Sequence, residues 1–348
     1  MKELILPALA ILVAGLTVLS SISRELFLLQ LLWAVLGFSF VILFWFFDWR
    51  TFLNYRWLVI GCYLLSIALL ILAYAAGPVI RNTRSWIVIG PIQFQPVEFA
   101  KVALILLFAQ YFSRRHFAIA RWKHILTSFF YFILPATLVA LQPDLGSVSV
   151  LFGIWFGFLL ISGLPLQRIF IVSLVFVLAA VLMWQFVLRD YQRARIIAVF
   201  YPEWDVQGIN YSLTQSKIAI GSAGFWGKGY GQGSQTQLGF LTEPASDFIF
   251  SALIEEWGWI GGALVIFLIT FLLRNILKTG LVADQNFEKF ICIGTVITFA
   301  WQFFINVGSA TGILPVVGVT FPFLSYGGSS LITNFFLLAI VNAIAVKS

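Results

Sequence analysis

The chain has 348 residues, of which 61% are hydrophobic and only 10% charged. With a mean hydropathy of +0.99 it carries more apolar surface than a soluble fold buries, so lipid is the solvent for most of it. Its formal charge of +7 does not make it a nucleic-acid binder, because Lys and Arg sit in short loops between hydrophobic runs, where they act as a topological signal.

Crossing a bilayer takes about 20 mostly apolar residues. Runs of this kind fall at 4–21, 26–47, 55–76, 96–112, 124–142, 147–163, 168–188, 247–273, 288–310 and 328–346. They predict an all-α polytopic membrane protein of about ten transmembrane helices, a single integral membrane domain over 1–348. The first run follows Lys2 and resembles a secretory signal, but it lacks an Ala-x-Ala site and many spans follow, so it reads as a retained helix. The runs at 96–112 and 147–163 are the shortest. No internal repeat is visible, which weighs against an inverted-repeat transporter. Cys62 and Cys292 lie inside apolar runs and read as buried packing residues, with no disulfide or metal framework.

Basic residues set the orientation. With the N-terminus inside, the cytoplasmic segments carry Lys2, Arg50, Arg56, Arg114, Arg115, Arg121, Lys123, Arg168, Arg274, Lys278, Lys289 and Lys347. The short outer loops carry Arg24, Arg81 and Arg84, so both termini are predicted to be cytoplasmic. Both histidines, His116 and His124, fall in one inner loop. No histidine is then available on the outer side as base or metal ligand.

The outer side holds polarity that apolar spans do not need. The loop after the third span carries Arg81 and Arg84 and runs into a span where Glu98 and Lys101, three residues apart, share one face. That pair reads equally as a structural ion pair or as a substrate-facing one. Asp144 lies in LQPDLGS, where Pro143 and Gly146 give turn chemistry and the aspartate is a candidate helix cap. The long outer loop, 189–246, opens with YQRARI, bearing Arg193 and Arg195. Loops of that length are usually functional. Within it NYSLTQSKIAI reads as a short amphipathic helix on the membrane surface. The stretch GSAGFWGKGYGQGSQ lacks the terminal G-K-[S/T] of a phosphate-binding loop and lies outside, so a nucleotide site is set aside; its glycines serve close backbone approach or flexible turns.

Asp247 then heads a span that holds Glu255 and Glu256 further along. As a cap it would contribute about 1 kcal/mol. Capping does not account for the two glutamates, roughly 12 Å deeper at ~1.5 Å per residue, and all three are expected to face one interior region. The last outer loop, GILPVVGVTFPFLSYGGSS, has Pro and Gly breakers, and broken backbone at that depth implies a cavity open to the outside. A mixed-sign cluster at the interface suits an anionic amphiphile with its tail in the membrane lipid.

The segments QPVEFAKVAL, LQPDLGS, YQRARI, QSKIAIGSAGFWGKG, the Glu243 and DFIF segment, and GILPVVGV…SYGGSS together resemble the SEDS family (shape, elongation, division and sporulation). They occur in order from about residue 77 onward, and the wording is closer to elongation-type than to division-type members. The resemblance implies a peptidoglycan glycosyltransferase of the bacterial cytoplasmic membrane that polymerises lipid II on the outer face, in cell elongation and shape, with a class B penicillin-binding protein as partner. It makes Asp247 the essential residue. Carried over by motif as substrate-binding are Glu98, Lys101, Asp144, Arg193, Arg195, Gln215, Lys217, Glu243 and Ser325, with Arg81 and Arg84 beside them. The family often reads Pro-Glu-Arg-His-Thr-Asp where this chain reads Thr242 to Asp247, so Ala245 replaces a histidine.

On that reading a single displacement inverts the donor sugar, which needs one carboxylate rather than a nucleophile pair. Asp247 is the general base, its pKa raised by burial near Glu243, Glu255 or Glu256. Lys101, Arg193, Arg195 and Arg84 stabilise the leaving diphosphate. As cofactor, Mg²⁺ or Mn²⁺ is the candidate to share that task, although no outer carboxylate cluster forms a metal site unaided. The alternatives are a lipid II flippase, which needs a cavity reachable from both sides, a division-type polymerase of the same family, or a scaffold, which leaves the long loop and buried charges without a role.

Overall fold

The computed structural model describes residues 2–46, 55–80, 83–90, 92–114, 122–186, 188, 190–201, 208 and 210–347. Arg81 lies outside the described residues, as do Arg50, Arg115, His116, Arg121 and Arg189. In chain order the helices are α1 (Lys2–Ile22), α2 (Arg24–Phe46), α3 (Arg56–Ala76), α4 (Pro96–Ser113), α5 (Trp122–Leu141), α6 (Leu145–Ile161) and α7 (Leu166–Phe186), then α8 (Asp190–Phe200), α9 (Tyr211–Ser222), α10 (Ser234–Gln237), α11 (Ile249–Val282), α12 (Asn286–Thr311) and α13 (Gly328–Lys347). Among the described residues nine helices are long and apolar enough to span, and α6 is a shorter tenth. The loop after α3 adds an antiparallel hairpin, β1 (Ile87–Ile89) paired with β2 (Ile92–Phe94) through Val88 and Gln93.

Burial sorts the spans in a way hydropathy does not. α4 has the lowest hydropathy of the nine, yet 83% of it is buried; among the most apolar is α7, with only 6% buried. The reason is physical: a lipid-facing surface asks only for apolar side chains, whereas the centre of a bundle holds the polar groups that lipid excludes. So α4 carries Glu98, Lys101 and Gln110, all buried. It packs against α3, α12 and α6, while α1 lies on α11 and α2 on α13. Between α5 and α6, Phe132 stacks on Trp155 at 5.3 Å, and the Trp155 indole donates to Ser128 Oγ at 3.1 Å.

α11 differs from its prediction. Gly258 has φ +71° and ψ −173°, which ends one helix and begins another inside the apolar run. The remaining stretch, 259–282, is about 36 Å long at ~1.5 Å per residue and suffices to span. The groups freed at the break are met by the glycine-rich loop: Lys228 and Gly229 donate their N–H to the Glu255 and Glu256 carbonyls at 2.9 and 3.1 Å. In return Trp259 and Ile260 donate to the carbonyls of Gly224 and Phe225 at 3.1 and 3.3 Å. Gly227 and Gly258 meet backbone to backbone, each with positive φ, and a Cβ on either would collide with the other chain segment.

This clasp corrects the expectation for the two glutamates. Glu255, fully buried, accepts from Lys228 Nζ (2.8 Å), Gln235 N (2.9 Å), Thr236 N (3.1 Å) and Thr236 Oγ1 (2.8 Å). Glu256 accepts from Ser21 Oγ at the end of α1 and from Gly231 N. They hold the loop, not a shared interior face with Asp247. Nine helical steps of about 100° had in any case put Glu256 half a turn round from Asp247. The QSKIAI helix is corrected as well: α9 docks on the bundle, with Ser216 Oγ 2.6 Å from both Ser251 Oγ of α11 and the Ala310 carbonyl of α12.

Candidate active site

Asp247 stands just before α11, half-buried, in a segment gripped from three sides. Asn306 of α12 donates its amide to the Asp247 carbonyl (3.2 Å) and the Val319 carbonyl (2.8 Å). The turn before α13 supplies Ser325, whose hydroxyl donates to the Ser246 carbonyl and accepts from Phe321 N, both at 2.8 Å. Tyr326 N donates to the Ala245 carbonyl at 2.8 Å. Behind that turn the fully buried Gln30 of α2 donates to the Ser325 carbonyl (3.0 Å) and accepts from Gly327 N (3.2 Å). The cap reading of Asp247 is corrected: the N-cap is Phe248, without a side-chain bond. Glu243, at φ +48°, turns the chain, and its carbonyl receives Ser246 N and Phe248 N.

Asp144 is a cap. Its Oδ1 accepts from Ser147 N (3.0 Å), and its Oδ2 accepts from Ser147 Oγ (2.8 Å) and Gln95 Nε2 (3.3 Å). Burial pushes the Asp144 carboxyl above its ordinary range, while Ser147, Lys101 and Gln95 draw it back. Close by, Lys101 Nζ lies 2.7 Å from Glu98 Oε2, both nearly inaccessible. The strip 316–318 joins this corner to Asp247. Gly146 backs onto the Val317 carbonyl, and a Cβ on Gly318 would come within 3.8 Å of Asp247 Oδ2. Arg195, exposed on α8, reaches the same strip and donates to the Val316 carbonyl at 3.2 Å.

The structure therefore gathers Asp247, Asp144, Glu98, Lys101 and Arg195 around one strip. Arg193 turns away, with Nη2 on the Gln185 carbonyl (3.0 Å) and Nη1 3.7 Å from Asp190. Lys217 of α9 packs beneath Gly312 at the end of α12, and Gln215, also on α9, is half-buried. Glu243 and Arg84 are exposed. Ser325 is buried and acts through the backbone it holds. Among the described residues no three His, Cys, Asp or Glu side chains gather as a metal-holding group. Asn306, Gln95 and Gln30 escaped the sequence reading, although each amide among apolar or turn residues was the available signal.

Next to the Gln95 corner, α2, β2, α4 and α13 enclose an apolar cavity of about 270 Å³, walled by Trp33, Phe40, Phe94, Phe99, Ile332 and Phe336. Ser329 ties the two places together, since it accepts from Gln95 N at 3.1 Å and also lines the cavity.

The family profile described as Cell cycle protein, FtsW/RodA/SpoVE, matches residues 4–348. The chain belongs to the FtsW/RodA/SpoVE family. This bears out the SEDS resemblance of the motifs. To the peptidoglycan glycosyltransferase MrdB of Escherichia coli it is 39% identical over 273 residues, 78% of this chain and 73% of that protein. To stage V sporulation protein E of Bacillus subtilis it is 33% identical over 313 residues, 87% and 82% of the two chains. Among solved structures, the rod shape determining protein RodA of Thermus thermophilus superposes with a TM-score of 0.75 at 27% identity, covering 100% of this chain and 97% of that one. A chain from a peptidoglycan synthase complex does so with a TM-score of 0.87 at 27% identity, covering 100% and 98%. In this family member, Ser325→Ala leaves Phe321 N without its buried acceptor, a cost of about 1–3 kcal/mol. Its unfolding midpoint is expected to fall and its activity to drop in part, since Asn306 and Tyr326 still hold the Asp247 segment; thermal unfolding and turnover of the purified variant check this.

Proposed function

We propose that the protein is a peptidoglycan glycosyltransferase that polymerises lipid II at the outer face of the bacterial cytoplasmic membrane, with both termini inside. The observation that carries the reading is the Asp247 carboxylate, held by its own backbone beside the strip that Arg195 and the Asp144 corner share. The two aspartates divide by environment: both Asp144 oxygens are engaged in capping and in the Gln95 contact, which suits positioning. Asp247 is the general base that takes the proton of the acceptor hydroxyl as the diphosphate leaves in one inverting displacement. Arg195 is exposed and meets the diphosphate. Lys101, closed in against Glu98, acts as a fixed charge behind Asp144. The apolar cavity beside Gln95 takes the first part of the polyprenyl chain.

The family and the elongation-type relative favour a role in cell elongation and shape beside a class B penicillin-binding protein that crosslinks the product. The test is purified protein with detergent-dispersed lipid II, where there is no second leaflet to reach. Glycan strands on a gel are the expected product. A flippase makes none, so their absence alongside an active control polymerase overturns the reading.

A further inference from the structure

The end of the bundle opposite Asp247 holds a second set of groups that the reaction does not use. Arg56 opens α3 and Arg114 is the C-cap of α4. At ~1.5 Å per residue the 18 residues of α4 put Arg114 about 27 Å from the Gln95 corner, roughly the thickness of the hydrocarbon core. Both arginines border a cavity of about 150 Å³ between α3, α4 and α5. Neither makes an ion pair among the described residues. Two guanidinium groups facing one cavity, with no carboxylate paired to either among the described residues, repel each other unless an anion enters between them.

The walls are polar and fixed. Gln110 is buried, and Tyr111 shares a 3.0 Å hydrogen bond with His124 Nδ1. Tyr131 stands edge-on to the Tyr111 ring at 5.9 Å and takes the Tyr63 hydroxyl on its carbonyl at 3.0 Å. A pair of arginines over a polar wall is the chemistry of a phosphate site, where guanidinium geometry matches two oxygens at once. The lining turns apolar at Ile60 and Leu107. Outside it, Leu64 and Phe130 are 58% and 66% exposed on the same two helices that flank the cavity, so acyl chains have a surface to follow. Trp57, 81% exposed, sits one residue from Arg56, where interfacial tryptophans lie at headgroup level.

We propose that this cavity binds the phosphate of an anionic phospholipid at the face remote from the Asp247 site. Positive-inside bias alone scatters basic residues over a membrane face; it does not aim two of them into one walled cavity.

The test is titration of the whole protein in mild detergent with phosphatidylglycerol or phosphatidylcholine, read by native mass spectrometry. One phosphatidylglycerol is expected to be retained in preference to phosphatidylcholine. Arg56→Gln with Arg114→Gln weakens it about 30-fold, while Arg274→Gln with Lys278→Gln, exposed basic residues of α11, leaves it unchanged. Should the double variant not fold, Arg114→Lys replaces it, with retention between the two because the charge stays and the planar fork goes. Equal retention of both lipids, or undiminished retention by the cavity variants, overturns the proposal. Displacement by millimolar inorganic phosphate overturns the lipid source and leaves a free-anion site.

Discussion

Asp247→Asn is expected to lower glycan polymerisation by roughly 10²–10⁴-fold, the range that a positioned general base contributes. The substitution keeps size and shape, and the bonds that hold this segment run to backbone atoms: Asn306 to the Asp247 carbonyl, Ser325 to the Ser246 carbonyl, and Tyr326 N to the Ala245 carbonyl. Lost activity with an unchanged unfolding midpoint separates the chemical role from a structural one. Turnover of lipid II by the purified variant within a few-fold of the parent removes Asp247 as base. A histidine cannot take over, because Ala245 occupies the nearby position and is buried under the Tyr326 turn.

Glu255→Ala is expected to be the most destabilising single change outside that segment. It removes the acceptor for Lys228 Nζ, for the amides of Gln235 and Thr236, and for the Thr236 hydroxyl. Breaking a buried pair costs about 3–5 kcal/mol, and the lower end applies here because Lys228 keeps 24% side-chain exposure and can turn to water. The damage is local, since these groups lie on the loop threaded into the Gly258 break. The expected result is faster proteolytic cleavage within 224–238 together with a lower unfolding midpoint, and Lys228→Ala does the same more weakly. Unchanged cleavage for Glu255→Ala would show that the loop is held by its backbone exchange with α11 alone.

Particular residues explain what the sequence could and could not convey. Span existence was legible because lipid rewards uniform apolarity, and every predicted run corresponds to a helix, α4 and α6 included; the bounds agree within a few residues except in α11, which runs on to Val282 where 273 was expected. The break in α11 was not legible. Glycine inside an apolar run reads as tolerated, and only the positive φ of Gly258 reveals two helices where hydropathy sees one. The partners of Glu255 and Glu256 were not legible either, since Glu255 is held by a loop about 20 residues earlier and Glu256 by Ser21 of α1 together with Gly231. The docking of α9 was hidden likewise, since a helix with one small-residue face suits a protein groove as well as a membrane surface. In the site, charged residues announced themselves and the amides did not. Asn306 and Gln30 act through main-chain carbonyls and amides, contacts that leave no spacing pattern in the chain.

The opposite burial of α4 and α7 has a consequence for how substitutions read out across this chain. Along α7 most positions face acyl chains, so apart from those turned to the bundle, such as Val172 and Phe176, one apolar residue serves about as well as another and a survey of variants would record a plateau. Along α4 a change of volume meets neighbours on almost all sides, and loss of function there mixes failure to fold with failure to turn over. A defective allele at Glu98 or Lys101 thus says little until the amount of folded protein in the membrane has been measured, whereas one at Arg195, exposed on α8, reports on the site and the strip it holds rather than on the core.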